Sequence, residues 1–153
     1  MDIQFLPITQ YQAEQIAYQW HYKGIYAFYN MEADEEDLAE FINPLTRGAV
    51  FAAISNQELI GFISVDIHTV VQIEIGLGLR PDLTGQGYGV VFLSQALNYM
   101  KSKFSPSIIS LAVATFNKRA ISLYKKIGFI EDTTFMQHTN GGEYEFVNMK
   151  YVC

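Results

Sequence analysis

Three alternate glycines, Gly85, Gly87 and Gly89, stand between an apolar strand-like run and an apolar-striped helix-like run. A strand, a glycine-rich turn and a helix start together make an anion cradle. The first N–H groups of a helix lack intrahelical partners, and the helix dipole favours negative charge there. Without a Cβ, these positions let a phosphate approach the backbone. The same pattern also serves as a turn with no ligand, so alone it does not decide. A second stretch, Asn117–Phe129, carries Ala120, Leu123, Tyr124 and Ile127 at helical spacing. Asn117 suits its N-cap and Gly128 a left-handed C′ position. A third candidate is Glu74, a carboxylate inside an otherwise apolar strand.

Together these stretches resemble the GNAT superfamily of acyl-CoA-dependent N-acetyltransferases. Thr84-Gly85-Gln86-Gly87-Tyr88-Gly89 is similar to the family's pyrophosphate loop. Asn117, Ala120, Leu123, Tyr124, Gly128 and Phe129 are similar to its Asn-x-x-Ala-x-x-Leu-Tyr-x-x-x-Gly-Phe segment. The likeness is close over residues 60–130 and one of general layout over the first 50. At Thr84 the family usually carries Arg or Gln.

The resemblance implies acetyl-CoA as acyl donor, its pyrophosphate held by N–H groups of Gly85, Gln86, Gly87, Tyr88 and Gly89. Thr84 adds a hydroxyl but no charge. Arg80, Lys118 and Arg119 are alternative sources of charge, and each also reads as solvated surface. Backbone groups of Leu77 and Leu79 would pair with the pantetheine arm, with Leu79 N–H facing an oxyanion. Asn117 would touch the same arm, a role compatible with capping its helix. Tyr124 is the implied general acid for the departing thiolate; a phenol of pKa about 10 keeps its proton at neutral pH. Glu74 is the first choice of base, with Glu143, Glu145 or an already neutral amine as alternatives. The catalytic pair expected is therefore Tyr124 and Glu74.

These groups need a scaffold. Ile3–Ile8 reads as an edge strand ending near Pro7, and Thr9 caps a helix over Gln10–Trp20. Tyr22–Asn30 is aromatic-rich without a clean period. Asp34 opens a second helix with Leu38, Phe41 and Ile42 on its apolar face, ending at Asn43-Pro44. Ala49–Ile54 and Glu58–Ile67 form a hairpin around Asn56-Gln57. Val70–Leu79 is a third strand, with Ile73, Ile75, Leu77 and Leu79 on one face and Glu74, Gly76 and Gly78 on the other. The two glycines leave a bare groove or mark a bulge. A helix over Gly87–Phe104 then feeds the strand Ile108–Ala114, a length that predicts a right-handed parallel crossover. After the Asn117 helix, strands Phe129–Gln137 and Tyr144–Val152 flank Asn140-Gly141-Gly142. The order predicts an α+β fold, three layers α/β/α. Its sheet is mixed and mostly antiparallel, with a central parallel β-α-β crossover, as in the GNAT fold. One domain over residues 1–153 is expected.

Composition sets the class. Half of the 153 residues are hydrophobic and 14% aromatic, which excludes a disordered chain. A net charge of -6 argues against nucleic acid as partner and suits either a cationic substrate or solubility. The acidic run Glu32, Asp34, Glu35, Glu36, Asp37, Glu40 could attract an amine or form a solvated helix start. Tyr22, Tyr26, Phe28 and Tyr29 could wall the acceptor pocket or belong to the core. The single cysteine, Cys153, and three histidines without ligand spacing give no disulfide and no metal site. With no signal peptide and no membrane-length apolar run, a cytoplasmic location is expected. The expected activity moves acetyl from acetyl-CoA to a primary amine of a small molecule or protein N-terminus by direct attack. The alternative is a non-catalytic GNAT-fold CoA-binding sensor or interaction module. A nucleotide-binding protein is a weaker rival, because the loop lacks a Lys-Ser/Thr pair. The resemblance also allows a homodimer through exposed strand edges.

Overall fold

A computed structural model describes Met1–Cys153. The chain runs β1 (Gln4–Pro7), α1 (Gln10–Gln19), two 3₁₀ turns (Gly24–Tyr29 and Met31–Ala33) and α2 (Glu35–Ile42). There follow β2 (Ala49–Ser55), β3 (Glu58–Ile67), β4 (Gln72–Leu79) and a short 3₁₀ turn, Pro81–Leu83. The remainder is α3 (Tyr88–Phe104), β5 (Ile108–Ala114), α4 (Lys118–Ile127), β6 (Ile130–Thr139) and β7 (Gly142–Val152).

Local chemistry sets the ends of these elements. Thr9 and Gln12 make a reciprocal capping box on α1. Asp34 accepts from Asp37 N–H at 3.0 Å at the start of α2, and Asn117 accepts from Ala120 N–H at 3.1 Å at the start of α4. Strand ends differ from expectation by two residues in two places, the last hairpin and the start of β4. The last hairpin turns on Asn140-Gly141, both at positive φ, so its strands run to Thr139 and from Gly142. At the other boundary, Thr69 Oγ1 accepts from the N–H groups of Val71 and Gln72, which holds Val70 and Val71 outside β4.

The seven strands lie in the order β1-β2-β3-β4-β5-β7-β6. Every neighbouring pair is antiparallel except β4 and β5, which the α3 crossover makes parallel. Strand alternation sorts the side chains to two faces. Phe51, Ile63, Val65, Ile73, Ile75, Ile109, Leu111, Val113, Val147 and Met149 join Phe92, Leu93, Leu97 and Met100 of α3 and Ile121 of α4 in one buried core. On the opposite face Phe62 packs against Trp20, at the end of α1, and against Phe41 of α2, with ring centroids 6.3 and 5.4 Å away. The helices thus cover both faces of a mixed sheet.

The bulge reading of the β4 glycines fails and the groove reading holds in part. The β3–β4 register is unbroken from Gly61↔Leu79 to Ile67↔Ile73, so there is no bulge. Gly76 and Gly78 do line a cavity, yet their face is not bare. A Cβ on Gly78 would lie 2.1 Å from Phe62 Cε1, and one on Gly76 would lie 2.5 Å from Ser64 Oγ. The glycines make room for the side chains of β3.

Candidate active site

The parallel seam between β4 and β5 is three residue pairs long: Gln72↔Ile108, Ile73↔Ile109 and Glu74↔Ser110. Beyond Glu74, β4 stays paired with β3 as far as Leu79, and β5 stays paired with β7 as far as Ala114. Each strand follows its antiparallel neighbour, so the two diverge and the sheet splits. Arg80 N–H donates to Ile60 C=O at 2.8 Å, so even-numbered residues near the end of β4 bond to β3. By the alternation of an antiparallel ladder, the N–H and C=O groups of Leu77 and Leu79 point into the split. Tyr22 Oη reaches Leu79 C=O from that side at 2.8 Å.

The split opens into a cavity of about 390 Å³ whose walls include Leu77, Leu79, Leu111, Val113, Trp20, Tyr22 and Tyr29. A second cavity, of about 260 Å³, lies against Gly85, Gly87 and Gly89. Leu77, Leu79, Thr84, Asn117, Arg119 and Tyr124 line both, so strand ends, loop and α4 border one continuous cleft. No aspartate or glutamate lines either cavity.

The loop earns its glycines unequally. Gly87 is the N-cap of α3 at φ 88°, and a Cβ there would meet nothing within 4 Å. That open approach to the helix start fits a phosphate cradle and would be filled by any side chain. At Gly89 a Cβ would come 3.0 Å from Leu123 Cδ2, so this glycine serves the contact between α3 and α4. Thr84 Oγ1 donates to Pro81 C=O at 2.7 Å, and Gln86 Nε2 donates to Asp82 C=O, so both side chains brace the turn. Among the three candidate cations, Arg80 is held by Asp82 at 2.6 Å and Glu58 at 3.8 Å. Arg119 makes no ion pair; its guanidinium lies 4.0 Å from the Tyr26 ring centroid, and Nη1 lies 3.4 Å from a Cβ position at Gly85. Lys118 lines neither cavity, so Arg119 is the cation at the loop, where the sequence left three open.

Tyr124 is half-buried, its ring 5.7 Å from that of Phe129. Burial raises the pKa of its phenol well above the ordinary value, and the nearby Tyr29 phenol adds to the effect. Its hydroxyl therefore keeps its proton. Asn117 is buried, and while Oδ1 caps α4 its Nδ2 donates to Tyr29 Oη at 3.1 Å.

Glu74 lies elsewhere. It occupies the last rung of the seam, facing His68 Nε2 at 3.5 Å. Leu79 is five residues further on, roughly 16 Å at strand spacing. Glu143 pairs with His138 at 3.4 Å beside the β6–β7 turn, and Glu145 is exposed on β7. The structure brings none of the three to the cleft. Glu74 thus stands where the split begins, one residue before Ile75 of the cleft wall, with its carboxylate turned to His68.

A third cavity, of about 380 Å³, adjoins the first and shares Tyr29, Met31 and Phe62 with it. Asp34, Asp37, Glu40 and Asp66 line it, with Phe28, Phe41 and Phe146. Its single cation, Arg47, is bonded to Gln10 Oε1 and Phe41 C=O. Asp34 also accepts from Asn140 N–H and Thr139 Oγ1, which ties α2 to the β6–β7 turn. Burial first, and then the charge of Asp34, push the Asp37 carboxyl above the usual carboxylate range. Of the acidic run, Asp34, Asp37 and Glu40 line this cavity, and Asp66 joins them from a distant part of the sequence.

The Acetyltransferase (GNAT) family model matches residues 12–129. An N-acetyltransferase of Methanocaldococcus jannaschii, described as uncharacterized, is 31% identical over 88 residues. Mycothiol acetyltransferase of Streptomyces coelicolor is 31% identical over 90 residues. These matches span 53% and 58% of this chain but only 38% and 29% of the relatives' own lengths. The crystal structure of spermidine N-acetyltransferase from Vibrio cholerae in complex with CoA and spermine superposes with a TM-score of 0.76 at 20% identity. That likeness covers 98% of this chain and 95% of that one, and it shows a shared fold. Split sheet, glycine loop and family match agree: the chain belongs to the GNAT acetyltransferase family.

Proposed function

We propose that residues 1–153 act as one domain that transfers acetyl from acetyl-CoA to the primary amine of a cationic acceptor. One observation carries the reading: a continuous cleft joins inward-facing strand amides, a half-buried protonated tyrosine and an open helix start. Acetyl-CoA supplies the activated acetyl group. The loop N–H groups from Gly85 to Gly89, with Arg119, hold its pyrophosphate. Backbone groups of Leu77 and Leu79 hold the pantetheine arm, and Leu79 N–H faces the carbonyl oxygen where negative charge develops. Tyr124 holds a proton at Oη for the departing sulfur.

The acidic, aromatic cavity next to the cleft supports an acceptor that carries positive charge, because carboxylates and ring faces both attract ammonium groups. The Vibrio cholerae neighbour, solved with spermine, makes polyamines the first acceptors to try. With no carboxylate in the cleft, the attacking amine is its neutral fraction, and the rate should rise with pH toward the acceptor's own pKa. Tyr124 stays protonated across that range because burial raises its pKa. A cytoplasmic site of action and a homodimer paired through the exposed edge strand β6 complete the reading.

The test follows release of free CoA with a panel of amines, spermidine and spermine included, for wild type and Tyr124→Phe. We expect turnover of at least one amine, and a loss of about tenfold or more in kcat for Tyr124→Phe, with CoA affinity kept within a few-fold. Full activity in that variant would leave Tyr124 as packing. CoA binding without turnover of any amine would favour the non-catalytic binding module.

A further inference from the structure

The segment between α1 and α2 crosses the mouth of the cleft and is tied to both lips. On the β4 lip, Tyr22 Oη donates to Leu79 C=O at 2.8 Å. On the α4 lip, Asn117 Nδ2 donates to Tyr29 Oη at 3.1 Å. Between them the Tyr26 ring lies 4.0 Å from the Arg119 guanidinium. Asn30 Oδ1 accepts from Tyr22 N–H at 2.7 Å, which draws the ends of the segment together, and Asn140 Nδ2 donates to Phe28 C=O at 2.8 Å between them. Three tyrosines thus hold a strand carbonyl, a helix-cap amide and a guanidinium. The proposed function assigns the Leu79 backbone and Arg119 to the cofactor, and the family resemblance gives Asn117 a place on its pantetheine arm. The tyrosines also line the cavity into which Leu77 and Leu79 turn their backbone groups.

We propose that this segment is a tyrosine strap that competes with the cofactor for the cleft, so that cofactor entry displaces Tyr22, Tyr26 and Tyr29 and in doing so shapes the acceptor cavity. The inference rests on the reading of the cleft as the acetyl-CoA site. A donor pairing with Leu79 C=O in the line of the strand meets the Tyr22 hydroxyl. A polar group approaching Asn117 Nδ2 meets Tyr29. Tyr29 and Met31 also partition the cleft from the acidic cavity, so a shift of the strap alters both rooms at once. An acceptor that enters beside bound cofactor meets a cavity whose partition the cofactor has set. Apparent affinity is the intrinsic affinity reduced by the fraction of strap-open molecules, so loosening a pin tightens binding.

Trp20, the only tryptophan, abuts the strap and lines the cleft, which gives an intrinsic reporter. CoA alone is titrated by calorimetry and mixed rapidly with protein while Trp20 emission is followed, for wild type, Tyr22→Phe and Tyr29→Phe. Each variant keeps its ring and loses one hydrogen bond. We expect CoA to change Trp20 emission, and each variant to bind CoA about two- to tenfold more tightly with faster association, the range set by one net hydrogen bond. Weaker binding in both would make the hydroxyls cofactor contacts and overturn the strap. Unchanged affinity and rate in both would overturn it as well. No CoA binding by wild type or by either variant would instead remove the cofactor reading on which the strap depends.

Discussion

Two pairs of glycines flank the same cleft and look alike in the sequence, yet their missing side chains serve different neighbours. On β4, Cβ atoms at Gly76 and Gly78 would lie 2.5 and 2.1 Å from Ser64 and Phe62. In the loop, a Cβ at Gly85 would meet only Arg119 Nη1, at 3.4 Å, and one at Gly87 would meet nothing within 4 Å. The strand pair yields space to the protein's own packing. The loop pair yields it to a left-handed backbone, φ 72° and 88°, and to an open helix start. A glycine is therefore evidence for a ligand only when nothing in the fold already fills the place of its side chain.

The comparison predicts different phenotypes. Gly78→Val should have the largest effect. The Phe62 ring must leave its place between Trp20 and Phe41, and overpacking of this kind costs about 1–3 kcal/mol. Thermal melts should show a clear fall in Tm, and replacing Phe62 with Ala in the same chain should recover part of it. An unchanged melt would mean that the ring has an alternative seat. Gly87→Val comes next. A β-branched side chain at φ 88° carries a strain of about 1–3 kcal/mol, so its melt should fall too, but here calorimetry on the folded variant should show CoA affinity reduced by an order of magnitude or more, roughly the loss of one charge-assisted contact. Retained affinity would detach the loop from the cofactor.

Smaller effects sharpen the contrast. Thr84 spends its hydroxyl on Pro81 C=O, so Thr84→Arg removes a brace and adds a charge beside the loop. We expect CoA affinity equal to wild type or tighter by up to about tenfold, since a charged donor to phosphate outweighs one neutral bond. Marked weakening would show that the brace positions the loop. Glu74→Gln should do least. Its carboxylate faces His68 at the last rung of the seam, so kcat and its pH profile should stay within about twofold of wild type, since surface pairs of this kind are weak. A lost limb in the pH–rate curve would restore Glu74 as a base.

What the sequence disclosed was mostly what short-range chemistry decides. Thr9, Asp34 and Asn117 cap their helices within three residues of the partners they bond. The hairpin turns Asn56-Gln57 and Asn140-Gly141 carry their own left-handed backbone. Helical spacing also put Asn117 and Tyr124 on one side of α4. What escaped depends on elements brought together from afar. Nothing in the run from Tyr22 to Tyr29 announces that Tyr22 will bond Leu79, 57 residues away. Phe62 and Gly78 explain each other only once β3 and β4 are in register. The placing of Glu74 is instructive. Period-two alternation assigns a residue to a face, but where two parallel strands part company is settled by β3 and β7, which hold them from outside.

That parting has a consequence for cooperativity. Strands β1–β4 and β5–β7 form two nearly self-contained antiparallel ladders, and three parallel rungs join them within the sheet. Any ligand that bonds to both ladders acts as a cross-brace that exists only in the folded state. Mass action then links occupancy to melting: at a hundredfold excess over Kd, such a ligand adds about 2.7 kcal/mol to unfolding. The two ladders should melt together more sharply when braced, and thermal shift becomes a screen for the unidentified acceptor. An amine that reaches across from the acidic cavity to the CoA-braced cleft should raise Tm further than CoA alone.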